Sequence, residues 1–202
     1  MKKENLKEIR DLFVVIDMVN GFVKEGKLAA PSIMRIVPRI EKLLNYYLNK
    51  EDSMIAIVRD SHVHDAIEFK TYAPHCIKGS EESELIDELK FAEKDALTYL
   101  KNSTNLVFAK GFMEDLYKMK NLERIGFTGC LSEVCVENGA ISTKNLLDEW
   151  NRNVDVFVYE DAIDTYDAPG HERDFVTKNA LQRMERNGIK VYRKEVKWYE
   201  NF

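Results

Sequence analysis

Short runs of consecutive apolar residues, rich in β-branched side chains, recur along the chain with helical patterns between them. The runs lie at 12–16 (LFVVI), 54–58 (MIAIV), 106–108 (LVF), 125–128 (IGFT), 154–159 (VDVFVY) and 189–192 (IKVY). Most are apolar at successive positions rather than at alternate ones, the pattern of a strand covered on both faces. Between them, Ile40, Leu43, Leu44, Tyr47 and Leu48 share one helical stripe, as do Leu85, Ile86 and Leu89, and further on Phe175, Ala180, Leu181 and Met184. Pro38 suits a first helical turn, and Arg186-Asn187-Gly188 reads as a helix stop before the last strand. About six alternations of strand and helix predict an α/β fold, a three-layer αβα sandwich around a six-stranded, mainly parallel sheet. No linker-like stretch divides the chain, so residues 1–202 are expected to form a single domain.

Composition narrows the classes of function. With 30 Lys+Arg against 35 Asp+Glu in 202 residues the net charge is −5, without a basic stripe for nucleic acid or an anionic membrane surface. No apolar run approaches the roughly 18 residues that span a bilayer. The charged start and the short apolar run behind it, interrupted at Asp17, do not read as a signal peptide, which points to the cytoplasm. Three cysteines, Cys76, Cys130 and Cys135, fit a reducing compartment.

In an open α/β sheet, ligands bind beyond the carboxyl ends of the strands. Asp17 follows the first run, Asp60 and His62 the second, Lys110 the third, and Cys135 the fourth. A lone Asp or Lys at a strand end is ordinarily a solvated residue, but these five, from four strand ends, arrive at one edge together. Cys135 opens a helical stretch, whose N-terminus favours a thiolate. Lys110 would add a cation, and Asp17 could take the thiol proton and return it to a leaving amine. The set reads as an Asp/Lys/Cys triad for acyl transfer. The loop DSHVHDAIEFKTYAPHCIKG adds Asp60, His62, Glu68 and His75, a donor set suited to zinc, iron or manganese. His64, Asp65 and Cys76 compete by type; His64 is expected to be exposed and Cys76 buried.

Asp17, Asp60-x-His62, Lys110-Gly111 and Gly129–Val136 (GCLSEVCV), with Pro74-His75-Cys76-Ile77-Lys78-Gly79, resemble the isochorismatase-like cysteine hydrolases and, among them, the nicotinamidases. The resemblance covers roughly residues 10–195. It implies hydrolysis of nicotinamide to nicotinic acid and ammonia through a cysteine thioester, in NAD salvage. Cys135 would be the nucleophile, Asp17 the base and acid, and Lys110 the thiolate stabiliser. Asp60, His62 and His75, with Glu68 in the place of a variable fourth ligand, would hold one divalent ion per chain, zinc ahead of iron or manganese. The family's cis peptide would fall at Cys130–Leu131, with the N–H groups of Leu131 and Cys135 as oxyanion donors. The aromatic residues that flank the ring in many nicotinamidases are missing at their usual places, which leaves Phe22 and Tyr72 as candidate ring contacts. The alternatives are a metal-independent amidase of the same family, acting on a carbamoyl or ureido substrate, and a flavodoxin-like binding domain without chemistry. His171 is expected to be a solvent-facing or capping residue, and Asp161 and Asp164 to support the loop after the fifth strand. The partner is a small amide, not nucleic acid or membrane. Aromatics in the tail 194–202 could dock a second subunit in a homo-oligomer.

Overall fold

A computed structural model describes residues 5–193. Six strands form one sheet: β1 (Asp11–Ile16), β2 (Ser53–Asp60), β3 (Leu97–Lys101), β4 (Arg124–Cys130), β5 (Asp155–Asp164) and β6 (Lys190–Tyr192). Their order is β3-β2-β1-β4-β5-β6, and every pairing is parallel. The order reverses direction on either side of β1, so the crevice between the ends of β1 and β4 is where an α/β sheet opens a binding site.

The helices divide between the two faces because β1 alternates its side chains. Leu12, Val14 and Ile16 pack with α3 (Phe112–Lys118), α4 (Glu137–Glu149) and α5 (Arg173–Arg186). Phe13 and Val15 face the other side, against α1 (Asn20–Val23) and α2 (Val37–Asn49). The α2 stripe is the expected one: Ile40, Leu43, Leu44 and Tyr47 are buried, and Pro38 lies in the first turn. Leu44 has no exposed surface, so Leu44→Ala should lower stability by about 2–5 kcal/mol, read from the urea unfolding midpoint. An unchanged midpoint would show that α2 adds nothing to the core.

Three expectations need correction. The run 106–108 is a 3-10 turn, capped by the Asn105 side chain accepting from Val107 N at 3.1 Å, with Phe108 exposed. The third strand is instead Leu97–Lys101, an edge strand that buries Tyr99 and Lys101 and leaves Thr98 and Leu100 in solvent. Leu85, Ile86 and Leu89 are buried, but around a 3-10 segment, Asp87–Asp95, rather than an α-helix. Phe175 points to solvent while Ala180, Leu181 and Met184 are buried. Asp161 and Asp164 do not follow the fifth strand but lie within it, where Asp164 accepts from Arg35 at 2.6 and 2.7 Å and Asp161 pairs with Arg39 of α2 at 3.0 Å, so they tie β5 to the layer beside it. No helix among the described residues is long and apolar enough to cross a membrane. The tail, with its expected subunit contact, lies outside the described residues.

Candidate active site

β1 delivers Asp17 to the crevice. Its backbone is left-handed, at φ 52°, and its N–H bonds to the Val58 carbonyl at 2.9 Å, so the chain turns sharply as it leaves the strand. The turn aims the carboxylate back across the sheet end, where it accepts from Asp60 N at 2.9 Å. From β4 the chain passes through a cis Cys130–Leu131 peptide, at the place the family resemblance implies, into a π-turn, Ser132–Val136. Cys135 lies within that turn rather than opening the helix as expected, since α4 begins two residues later, at Glu137.

The cation in this centre is Lys101, not Lys110. Lys110 follows the 3-10 turn and is exposed. Lys101 ends the edge strand, is 2% exposed, and places Nζ 2.7 Å from an Asp17 oxygen and 3.5 Å from Cys135 Sγ, with Asp60 as a third partner. Burial works against its charge, yet Asp17, Asp60 and Cys135 hold its pKa well above the usual lysine range. The expectation for Lys110 failed because the third strand was placed on the wrong segment. The sequence signal for Lys101 was the alternation in Leu97–Lys101, with Tyr99 and Lys101 on one face.

Burial and the Asp60 charge push the Asp17 carboxyl up to about 6, with Lys101 pulling it back. Burial likewise raises the Cys135 thiol, and Lys101 opposes that rise. Sγ and the carboxylate oxygens of Asp17 and Asp60 lie within 4.8 Å of one another. The arrangement is a buried thiol beside a proton acceptor poised near neutrality, with one cation touching both.

Asp60, His62, Glu68 and His75 converge beside this triad, their donor atoms within 4.8 Å of one another. His62 Nε2 lies 3.5 Å from Asp60 and 3.8 Å from Glu68, and His75 Nε2 lies 3.7 and 4.0 Å from the same carboxylates. Donors about 2.1 Å from a tetrahedral ion would sit roughly 3.4 Å apart, so the four need to close in slightly. His62 is fully buried, and neither ring nitrogen has a hydrogen-bond partner. His75 Nδ1 donates to the Ala73 carbonyl at 2.8 Å, which leaves Nε2 as the ring nitrogen turned toward the carboxylates. Two imidazoles and two carboxylates with a buried, unsatisfied nitrogen fit a divalent ion of the zinc, iron or manganese type. His64 is exposed and takes no part, and Cys76 is buried, its N–H donating to Glu82 at 2.9 Å.

Aromatic side chains wall the opening. Phe22 packs on His75 with ring centroids 5.3 Å apart, and Tyr72 approaches the same ring at 6.4 Å. Phe69, which the sequence did not single out, packs edge-on against both imidazoles at 5.3 and 5.6 Å. Phe22, Tyr72, Leu131 and Tyr166 line a cleft of about 610 Å³. Burial, then the charges of Glu68 and Cys135, push the Tyr72 phenol up.

Residues 11–194 match the model of the isochorismatase domain. Nicotinamidase 1 of Arabidopsis thaliana is 30% identical over 177 residues, spanning 78% of this chain and 70% of that protein. N-carbamoylsarcosine amidase from Thermoplasma acidophilum shares the fold with a TM-score of 0.72 at 24% identity, over 93% of this chain and 98% of that one. The pyrazinamidase of Pyrococcus horikoshii, solved in complex with zinc, gives 0.71 at 20% identity, over 91% and 99%.

Proposed function

The chain belongs to the isochorismatase domain family, and from that premise we propose that it is a cysteine amidohydrolase of the nicotinamidase branch, converting nicotinamide to nicotinic acid and ammonia. The observation that carries this reading is that the metal-type cluster and the thiol centre are one assembly. Lys101 touches Asp17, Cys135 and Asp60, and Asp60 is at once a partner of that cation and a member of the His62/Glu68/His75 set. A nicotinamidase of Arabidopsis thaliana is among the relatives of this chain, which supports the same branch.

In this mechanism Asp17 takes the thiol proton, and Lys101 balances the negative charge while Cys135 Sγ attacks the carboxamide carbon. The N–H groups of Leu131 and Cys135 receive the developing oxyanion. Asp17 returns the proton to the departing ammonia, then draws one from the water that cleaves the thioester. Phe22 and Tyr72 contact the ring. Asp60, His62, Glu68 and His75 would hold a divalent ion, which would supply a Lewis acid for orienting the substrate ring.

The test is ammonia release from nicotinamide by the purified protein, before and after chelation. Activity should fall by about tenfold or more on metal removal and return with added zinc, iron or manganese. Elemental analysis should find one tightly bound divalent ion per chain, absent from His62→Ala. Turnover of a carbamoyl substrate that ignores the chelator, with none of nicotinamide, would replace this reading by the metal-independent amidase.

A further inference from the structure

The loop after β5 carries a side chain that the mechanism has not used. Tyr166 lines the same cleft as Phe22, Tyr72 and Leu131, and is itself 37% exposed. It is not a loose surface aromatic. Its ring lies flat on the His171 imidazole, with centroids 3.7 Å apart and planes 7° from parallel. His171 is in turn held at both nitrogens, with Nδ1 3.2 Å from the Tyr166 carbonyl and Nε2 3.0 Å from the Glu133 carboxylate. Both partners are acceptors, so either neutral tautomer donates to one of them and the imidazolium to both. His171 is therefore a buttress between Tyr166 and Glu133, a role that the expectation of a solvent-facing or capping residue did not include.

Glu133 ties this buttress to the chemistry. It sits in the π-turn two residues before Cys135, where it also accepts from Thr165 at 2.9 Å and from Ser132 at 3.1 Å. Ser132 is linked onward to Thr177 of α5 at 2.9 Å. The loop bearing Tyr166 is thus fastened to the same turn that presents the nucleophile, and the phenol ring is fixed relative to Sγ by side chains rather than by the loop backbone alone. A rigid aromatic plate in a cleft that Phe22 and Tyr72 also line suits a flat acyl group and offers little to a small aliphatic one.

We propose that Tyr166, stacked on His171 and anchored through Glu133, is the specificity-determining wall of the cleft, and that it selects substrates whose carbonyl carries a planar, unsaturated ring. His171 is the positioning residue that holds the wall. The inference deepens the amidase reading, since it names the acyl class that site would take.

A matched pair of α-bromoketones tests the wall without requiring turnover. Phenacyl bromide carries a ring on its carbonyl and bromoacetone a methyl group; alkylation of Cys135 by each is followed by peptide mass spectrometry, and the ratio of their second-order rate constants is taken for each protein. Tyr166→Leu should lower the phenacyl-to-acetonyl ratio by about tenfold relative to the unaltered protein, and Tyr166→Phe should retain it. His171→Leu should shift it in the same direction as Tyr166→Leu. An unchanged ratio in Tyr166→Leu overturns the proposal, as does an equal loss in Tyr166→Phe, which would assign the effect to the hydroxyl. If the ratio falls as expected while nicotinamide is not hydrolysed, the wall stands and the nicotinamidase reading fails. If nicotinamide is hydrolysed and the ratio does not move, the reverse holds.

Discussion

Lys101→Met should reduce hydrolysis by about a thousandfold, a loss comparable in kind to Cys135→Ala, whereas Lys110→Met should turn over like the unaltered protein. The expectation follows from what Nζ touches. It lies 2.7 Å from Asp17 and 3.5 Å from Cys135 Sγ, and it also contacts Asp60, all in a place closed to water. Methionine keeps most of the volume and removes the charge, so two buried carboxylates lose their shared cation. Proton transfer from thiol to Asp17 then meets an uncompensated negative centre, and about 4 kcal/mol of lost stabilisation is the thousandfold expected. The same deletion should lower stability by about 3–5 kcal/mol, because a buried charge set without its partner is costly. The two effects separate when activity is assayed well below the variant's own melting temperature and alkylation of Cys135 by iodoacetamide is followed alongside. A Lys101→Met protein that is folded and fully active would remove Lys101 from the mechanism, and a silenced Lys110→Met would restore Lys110.

Gly129→Ala should yield no stably folded protein, or one destabilised by more than about 4 kcal/mol. Gly129 adopts φ 110°, and a Cβ there would lie 2.0 Å from the Ile16 carbonyl oxygen and 2.8 Å from the Ile16 backbone nitrogen. Nothing flexible can yield, since the obstacle is the backbone of the central strand at the point where it turns into Asp17. The close approach also sets Cys130 Sγ to donate to the Asp17 carbonyl at 3.1 Å, so β1 and β4 are clamped together where Asp17 and the turn bearing Cys135 leave the sheet. Gly79 supplies the control, with a left-handed φ of 81° but open space around a would-be Cβ. Gly79→Ala should therefore lose only about 1–2 kcal/mol, the cost of the conformation without a clash. Thermal unfolding followed by circular dichroism measures both, and similar melting temperatures for the two variants would refute the steric account.

The strands legible in the sequence were those covered on both faces. β1, β2, β4 and most of β5 are runs of buried apolar residues, and their burial is what the run of consecutive hydrophobes records. β3 escaped because an edge strand has one wet side, so that Thr98 and Leu100 interrupt the pattern and the inward position is a lysine. Misplacing that strand moved the cation nine positions along the chain, from Lys101 to Lys110. Asp60, His62, Glu68 and His75 were legible because metal-type side chains crowd one loop, and side-chain type alone distinguishes them. His64, Asp65 and Cys76 compete with them by type, and the fold leaves His64 in solvent, as expected, while bringing Glu68 into the cluster. The role of His171 was not legible, since its partners, Tyr166 and Glu133, are joined to it by tertiary contacts across the loop and the nucleophile turn.

The position of Lys101 has a further consequence, for how this protein would lose function. Three of the four groups in the centre hang from β1, β2 and β4, which have neighbours on both sides, but the cation hangs from β3, which is held by β2 alone. Edge elements with half their surface in solvent open at lower free energy than the centre of a sheet. A brief departure of five residues would carry off the charge that balances the centre, while the sheet, the thiol and the metal-type ligands stayed in place. Integrity of the centre in this molecule is therefore a report on an edge strand, and inactivation by mild warming or dilute denaturant would precede, rather than accompany, the collapse of the fold.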